Sequence, residues 1–349
     1  MRTARLKSVD FDDSAVSTHR SQERFFVTRQ ARRLTATGLL LVALVLSAFA
    51  APASAQEQRE SIDAAVQWLL SQQNEDGGFT GFSGESDAGA TVDAVLAIAS
   101  ARHAGIEVDL ESAMKYLEGQ ALVYAQFSPG AAAKFSMALV AAGMDPHDID
   151  NVDPMSIVVV ASGLGMIGLG PYDHALGLQA LVATGEPVPD LAIQTARDSQ
   201  IEDGSWAFDG TSTPGAGDTN TTAQMLMGLM AAGVHDEMVD RGIAYLAGAT
   251  NDDGGYPDQP GAESDANSTA LVLQAFIAAG DPDLVDAQEQ AIAALLGMQN
   301  ESGAFFYMAS VPDDNQFATV QAIPALAGVA FPLPVALPVL ATPEATPAG

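Results

Sequence analysis

Three segments open on aspartate and close on glycine fifteen residues later. They are Asp218-Thr-Asn220-Thr-Thr222-Ala223 to Gly233, Asp265-Ala-Asn267-Ser-Thr269-Ala270 to Gly280, and Asp313-Asp-Asn315-Gln-Phe317-Ala318 to Gly328. A longer relative runs from Asp87 through Thr91 to Gly105. Counting back from Gly185 and Gly143 gives two further copies that lack the aspartate. An aspartate ahead of an apolar stretch suits two roles. Its carboxylate can accept the free N–H groups of a helix start. Alternatively Asp87, Asp218, Asp265 and Asp313 form a partial ring of carboxylates at a cavity mouth, where they hold a polar or cationic ligand. Asn220, Asn267 and Asn315 follow two residues later, and an amide that both donates and accepts suits ligand recognition or inter-helix bonding equally. Tyr172, Phe306 and Tyr307 fall outside the repeated pattern and are candidates to line such a cavity.

Other chemistries are poorly supplied. There is no cysteine, which excludes a thiol nucleophile, a disulfide scaffold and any cysteine-ligated metal. His103, His147, His174 and His235 have no metal-ligand spacing. Gly163-Leu-Gly165-Met-Ile-Gly168 has the form of a dinucleotide loop without the strand–helix context, and is read as close helix packing. Asn251-Asp252-Asp253-Gly254 and Asn74-Glu75-Asp76-Gly77 are acidic turns with oxygen ligands for Ca2+, but neither has the spacing of a calcium loop. The chain carries 14 Lys+Arg against 44 Asp+Glu, so nucleic acid and anionic lipid are not its partners.

These residues need elements to hold them. Leu69-x3-Gln73-x3-Gly77-x-Phe79 recurs as Ala196-x3-Gln200-x3-Gly204-x-Trp206, Leu246-x3-Thr250-x3-Gly254-x-Tyr256 and Leu295-x3-Gln299-x3-Gly303-x-Phe305. The closing glycines 185, 233, 280 and 328 stand 47 or 48 residues apart. A period of this length marks an array of helical hairpins. Leu271–Ala279 is apolar on nearly all sides, as a helix buried all round must be, whereas Asp286–Met298 is amphipathic. The expected fold is all-α: an α/α toroid of about six hairpin repeats, with an inner ring of buried helices and an outer ring of amphipathic ones. An open solenoid is the alternative. The four turn aromatics are expected to pack between neighbouring outer helices.

The Gln-x3-Gly-x-aromatic turn resembles the QW motif of the prenyltransferase and squalene oxidase repeat superfamily. That resemblance covers about residues 58–328. It implies a terpenoid cyclase-like toroid, and several activities are on offer within the superfamily. Protein prenyltransferases need a zinc-binding cysteine and thioester proteins a Cys-Gln pair, and both are missing. Class II cyclases protonate their substrate from an Asp-x-Asp-Asp motif. Asp265-Ala-Asn267-Ser268 and Asp218-Thr-Asn220-Thr221 keep the first acid and replace the other two, so Asp265 and Asp218 are the catalytic candidates if the chain is an enzyme. Gln321-Ala-Ile-Pro324-Ala-Leu-Ala-Gly328 looks like the closing segment of secreted cobalamin carriers of the transcobalamin and intrinsic-factor type and their bacterial homologues. The ligand that this implies is a corrinoid, although the small capping domain of the carriers has no counterpart here.

Arg29, Arg32 and Arg33 precede an apolar run, Gly38 to Ala50, and the small residues Ala53-Ser54-Ala55. This is the pattern of an export signal cleaved after Ala55, and the run is too short to span a bilayer. Residues 1–55 are thus read as a leader, 56–328 as the toroid and 329–349, rich in proline, as an extended tail. Loss of residues 1–55 removes eight of the 14 basic and four of the 44 acidic residues, leaving a formal charge of −34. The functional expectation is a secreted, non-catalytic toroid. It binds an apolar or amphipathic molecule, such as an isoprenoid or corrinoid, or a surface protein, at its central cavity; a divergent cyclase is the alternative.

Overall fold

The computed structural model describes residues 53–333. The chain divides into two units, Met1–Gln56 and Glu57–Gly349, and the inner ring of helices belongs to the second. The expected leader lies outside the described residues except for Ala53, Ser54 and Ala55, with which the first helix begins.

Twelve α-helices are described. Six form an inner ring: α2 (Ala88–Ala101), α4 (Pro129–Ala141), α6 (Pro171–Thr184), α8 (Thr219–Ala231), α10 (Ala266–Ala279) and α12 (Gln316–Leu326). Each packs on the next, and α12 packs on α2, so the ring closes. Six outer helices alternate with them: α1 (Ala53–Leu70), α3 (Glu111–Ala125), α5 (Pro154–Ser162), α7 (Asp190–Asp198), α9 (Glu237–Gly248) and α11 (Val285–Leu296). The two classes differ in burial as their patterning requires. Every residue of α10 from Ala266 to Phe276 is buried, whereas α11 buries only Ala291 and Leu295. Two small hairpins, absent from the sequence expectation, join outer to inner helices: β1 (Phe79–Thr80) with β2 (Ser86–Asp87), and β3 (Phe306–Met308) with β4 (Val311–Asp314).

The repeated turn does the stitching. Phe79, Trp206, Tyr256 and Phe305 are buried to 1% exposure or less, each worth about 1.5–3 kcal/mol of apolar burial. Gln200 Nε2 donates to Gly204 O at 2.9 Å within the turn and to Met238 O at 2.8 Å in the next outer helix. Gln299 repeats this, donating to Gly303 O at 2.8 Å and to Ser61 O of α1 at 2.9 Å, and so ties the last repeat to the first. The turn glycine must be glycine there. Gly303 has φ +95°, and a Cβ on it would stand 2.4 Å from the Ala64 carbonyl oxygen.

A second repeated device had no role assigned from the sequence. The threonine four residues after the helix cap accepts the buried N–H of the turn aromatic. These bonds are Phe79 N to Thr91 Oγ1 (2.9 Å), Trp206 N to Thr222 (3.0 Å), Tyr256 N to Thr269 (2.9 Å) and Phe305 N to Thr319 (2.9 Å). Thr91, Thr222 and Thr319 also donate to their cap carbonyl at 2.7 Å. Each latch joins a turn to the inner helix that follows it.

His174, in α6, is buried. Its Nδ1 accepts from Ile167 N at 3.1 Å and its Nε2–H donates to Ala192 O at 3.0 Å. Burial holds its pKa below the usual imidazole range.

The tail expected from residue 329 starts differently. Val329 is buried, and Ala330, Phe331 and Leu333 pack on the core across the C-terminal ends of α6, α8 and α10. The physical reason is that Gly328, at φ +71°, turns the chain back over the ring, where its apolar side chains find cover. Residues 334–349 lie outside the described residues.

Candidate functional site

The inner helices all present their N-terminal ends on one rim. Their caps are Asp87, Ser128, Gly170, Asp218, Asp265 and Asn315. Ser128 and Gly170 stand at the starts of the two copies that lack the aspartate. Asp313 is not a cap. It is exposed in β4, and Asn315 accepts from Ala318 N at 2.9 Å in its place. The last copy is therefore two residues out of the register that the closing glycine implies. Its helix is two residues shorter than α8, and the hairpin β3–β4 takes up the difference. Asn315 aligns with Asp218 and Asp265, not with Asn220 and Asn267; the latch threonine, Thr319, fixes the alignment.

The buried cap aspartates are fully engaged. Asp218 accepts from Thr221 N at 2.6 Å and from Phe208 N at 3.0 Å. Asp265 accepts from Ser268 N at 2.8 Å and from Ser268 Oγ at 2.6 Å. Burial raises the pKa of both, against these hydrogen bonds, and the neighbouring Asp258 carboxyl raises them further. Asn220 Nδ2 donates to Asp258 Oδ1 at 2.7 Å, a bond between repeats. Asn267 is buried with its Oδ1 unpartnered. Phe306 and Tyr307 stand in β3 and do not line the central cavity; burial, then Asp265 and Asp258, raises the Tyr307 hydroxyl. The acidic turns are spent on themselves. Asp76 accepts from Gly78 N at 3.0 Å and Ser86 Oγ at 2.7 Å, and Asp253 from Gly255 N at 2.9 Å and Ser264 Oγ at 2.8 Å. Among the described residues no group of three or more His, Asp or Glu could hold a metal ion.

The centre of the ring is set by the residue six positions after each cap: Asp93, Lys134, Leu176, Gln224, Leu271 and Gln321. All but Leu271 line a small central cavity, together with Tyr172, Gln179 and Phe331, which reaches in from the tail. About 20 Å3 remains for water, room for roughly one molecule. Lys134 pairs with Asp93, their side chains 21% and 18% exposed. Burial works against the Lys134 ammonium, but Asp93, with Tyr172 and Tyr124, outweighs it and raises the pKa. Gln179 Nε2 donates to Gln224 O at 3.0 Å and Gln224 Oε1 at 2.8 Å. Sequence reasoning missed Asp93, Lys134 and the glutamines. The signal was there for Asp93, Lys134, Gln224 and Gln321: they are the polar residues at one fixed position in largely apolar helices.

Above this well, between α1, α2 and α12, a groove of about 570 Å3 opens on the rim. Trp68, Phe82, Ala90, Phe317 and Val320 line it with Asp87 and Asp93. Exposed Phe127, Leu169 and Phe208 flank other caps of the same rim, with the Tyr172 and Phe208 rings 5.8 Å apart. Large apolar side chains grouped on one exposed face mark an interaction site. No helix among the described residues is long and apolar enough to cross a membrane.

Solved structures share this architecture. A type II terpene cyclase, MstE from Scytonema, superimposes with a TM-score of 0.57 at 16% identity, over 78% of this chain and 98% of its own. A glycosidase in complex with glucose gives 0.57 at 11% identity, over 80% and 100%. A polysaccharide lyase gives 0.55 at 13%, over 79% and 97%. At such identities the likeness is one of fold. A search of curated proteins found none that matches. The profile of the prenyltransferase alpha-alpha toroid domain matches residues 16–129 and 190–325, most of the chain, and the protein belongs to that family.

Proposed function

We propose that this chain is an exported, non-catalytic toroid that binds an apolar or amphipathic small molecule in the rim groove, with its inner end at the central well. The observation that carries this reading is the pairing of a 570 Å3 groove lined by Trp68, Phe82 and Phe317 with a ring centre already filled by side chains. Concave, mostly apolar sites with a few convergent polar groups are the usual form of small-molecule pockets. Absence of catalysis is supported by the state of the acids. Protonating an alkene needs a neutral carboxylic acid facing the substrate. Asp93, the carboxylate at the groove floor, is paired with Lys134, while Asp265 spends its oxygens on its helix cap and Asp218 spends one on its cap and one on the N–H of Phe208. Export rests on the basic, apolar and small-residue sequence of residues 29–55.

Native mass spectrometry of the purified protein, followed by solvent extraction, tests this reading. A retained isoprenoid, lipid or corrinoid lost on Phe317→Ser is the expected result. A protein with no retained molecule and no affinity for any of these classes would overturn it.

A second reading, a divergent cyclase acting on an isoprenoid, draws on Asp265, whose buried carboxyl titrates above the usual range. Conversion of a polyprene to a cyclic product, abolished by Asp265→Asn, would establish it instead.

A further inference from the structure

The groove and the well adjoin, since Asp93 and Val320 belong to the walls of both. The well has a definite polarity. Its two charges, Asp93 and Lys134, cancel each other, and its other polar groups are neutral: the amides of Gln179, Gln224 and Gln321 and the Tyr172 hydroxyl. Gln179 is fully buried, and both of its contacts use its nitrogen. Its Oε1 has no donor. A buried acceptor without a donor is costly, and the well that Gln179 helps to line has space for roughly one water-sized group.

We infer that the groove ligand, on the reading proposed above, is an uncharged amphipath ending in a hydroxyl. Its apolar body lies along Trp68, Ala90 and Phe317, and its O–H donates to Gln179 Oε1. Other heads fit worse for stated reasons. A carboxylate or phosphate exceeds a one-atom space and faces Asp93 in a strongly acidic protein. An ammonium competes with Lys134 for Asp93 and leaves one charge in the well without a counter-ion. A bare hydrocarbon leaves Gln179 as it is. A hydroxyl supplies the donor at the size available.

Four probes of one chain length test this on the whole protein: 1-decanol, decanoate, decylammonium and decane, with Trp68 fluorescence as the readout. Decanol is expected to bind about tenfold more tightly than each of the others, the ratio that one well-placed hydrogen bond commands. Gln179→Met should bring decanol to the affinity of decane while decane itself still binds, which shows the groove intact. Should that variant not fold, the ranking of the four probes on the unaltered protein decides alone. Equal affinity for decanol and decane, or tighter binding of either ion, overturns the hydroxyl assignment and leaves the groove reading standing. Failure of all four to bind rejects the groove reading itself.

Discussion

Removing one partner of the Asp93–Lys134 pair tests whether the ring centre is as closed as the packing indicates. Lys134→Met keeps the length and apolar stem of the side chain and deletes the ammonium. Asp93 is then a carboxylate only 18% exposed, facing amides and a tyrosine. Stranding a buried charge costs about 3–5 kcal/mol, and the residual contact with water lowers this to about 2–4 kcal/mol. For a domain of this size that is a fall in melting temperature of about 5–12 °C. Asp93→Leu should cost a similar amount, since it strands Lys134. The double variant, which removes both charges, should lie within about 1 kcal/mol of the parent, so that the two single effects couple by 2 kcal/mol or more. Urea denaturation followed by tryptophan fluorescence gives all four stabilities. The sign with pH follows from the raised pKa of Lys134 in the fold. Its contribution is complete below the ordinary lysine value of 10.5 and is lost as pH rises through the higher folded value. Additive single effects below about 0.5 kcal/mol each would refute the reasoning, because they are the signature of a solvated surface pair. The well would then be open to bulk water, and the case for a one-group polar site at its floor would go with it.

Three further outcomes follow from the scaffold. Thr222→Val or Thr269→Val keeps the shape of the latch and leaves a buried aromatic N–H unpaired, for an expected loss of about 1–3 kcal/mol in chemical denaturation, with Ser at the same position restoring most of it. Gly303→Ala should destabilise by more than about 2 kcal/mol, combining a left-handed backbone with a collision against the Ala64 carbonyl, whereas Gly143→Ala, with φ +78° and open space around it, should cost about 1 kcal/mol; similar melting temperatures would mean that the ring closure tolerates movement. His174 has a folded pKa below its unfolded value of 6.5, so the unfolded chain takes up the proton first and stability falls as pH drops below 6.5. The urea midpoint should decline between pH 7 and about pH 5, less steeply in His174→Gln; Asp218 and Asp265, whose raised values favour the fold toward acid, act with the opposite sign in both proteins and so leave the difference between them to His174.

The repeat was legible because its devices are local. A cap, a left-handed glycine and a turn aromatic act over a few residues, so Asp218, Gly233 and Trp206 announce themselves by type and spacing. The count of hairpins, the two helix classes and the two copies that lack the aspartate followed from periodicity alone. Register failed where a local rule met a nonlocal one. The glycine at 328 placed the last cap at Asp313, but the Phe305–Thr319 latch forms across the turn and sets the cap at Asn315. The tail was misjudged from residue 329 for a similar reason. Proline content speaks of local conformation, and only the ring supplies the apolar mouth that Ala330, Phe331 and Leu333 cover. The site itself belongs to tertiary structure. Asp93 and Lys134 are forty-one residues apart and become partners because closure turns the sixth residue of every inner helix toward one axis. A groove between the first repeat and the last has no expression in sequence spacing at all, since the closure that creates it is made by contacts such as Gln299 to Ser61, 238 residues apart.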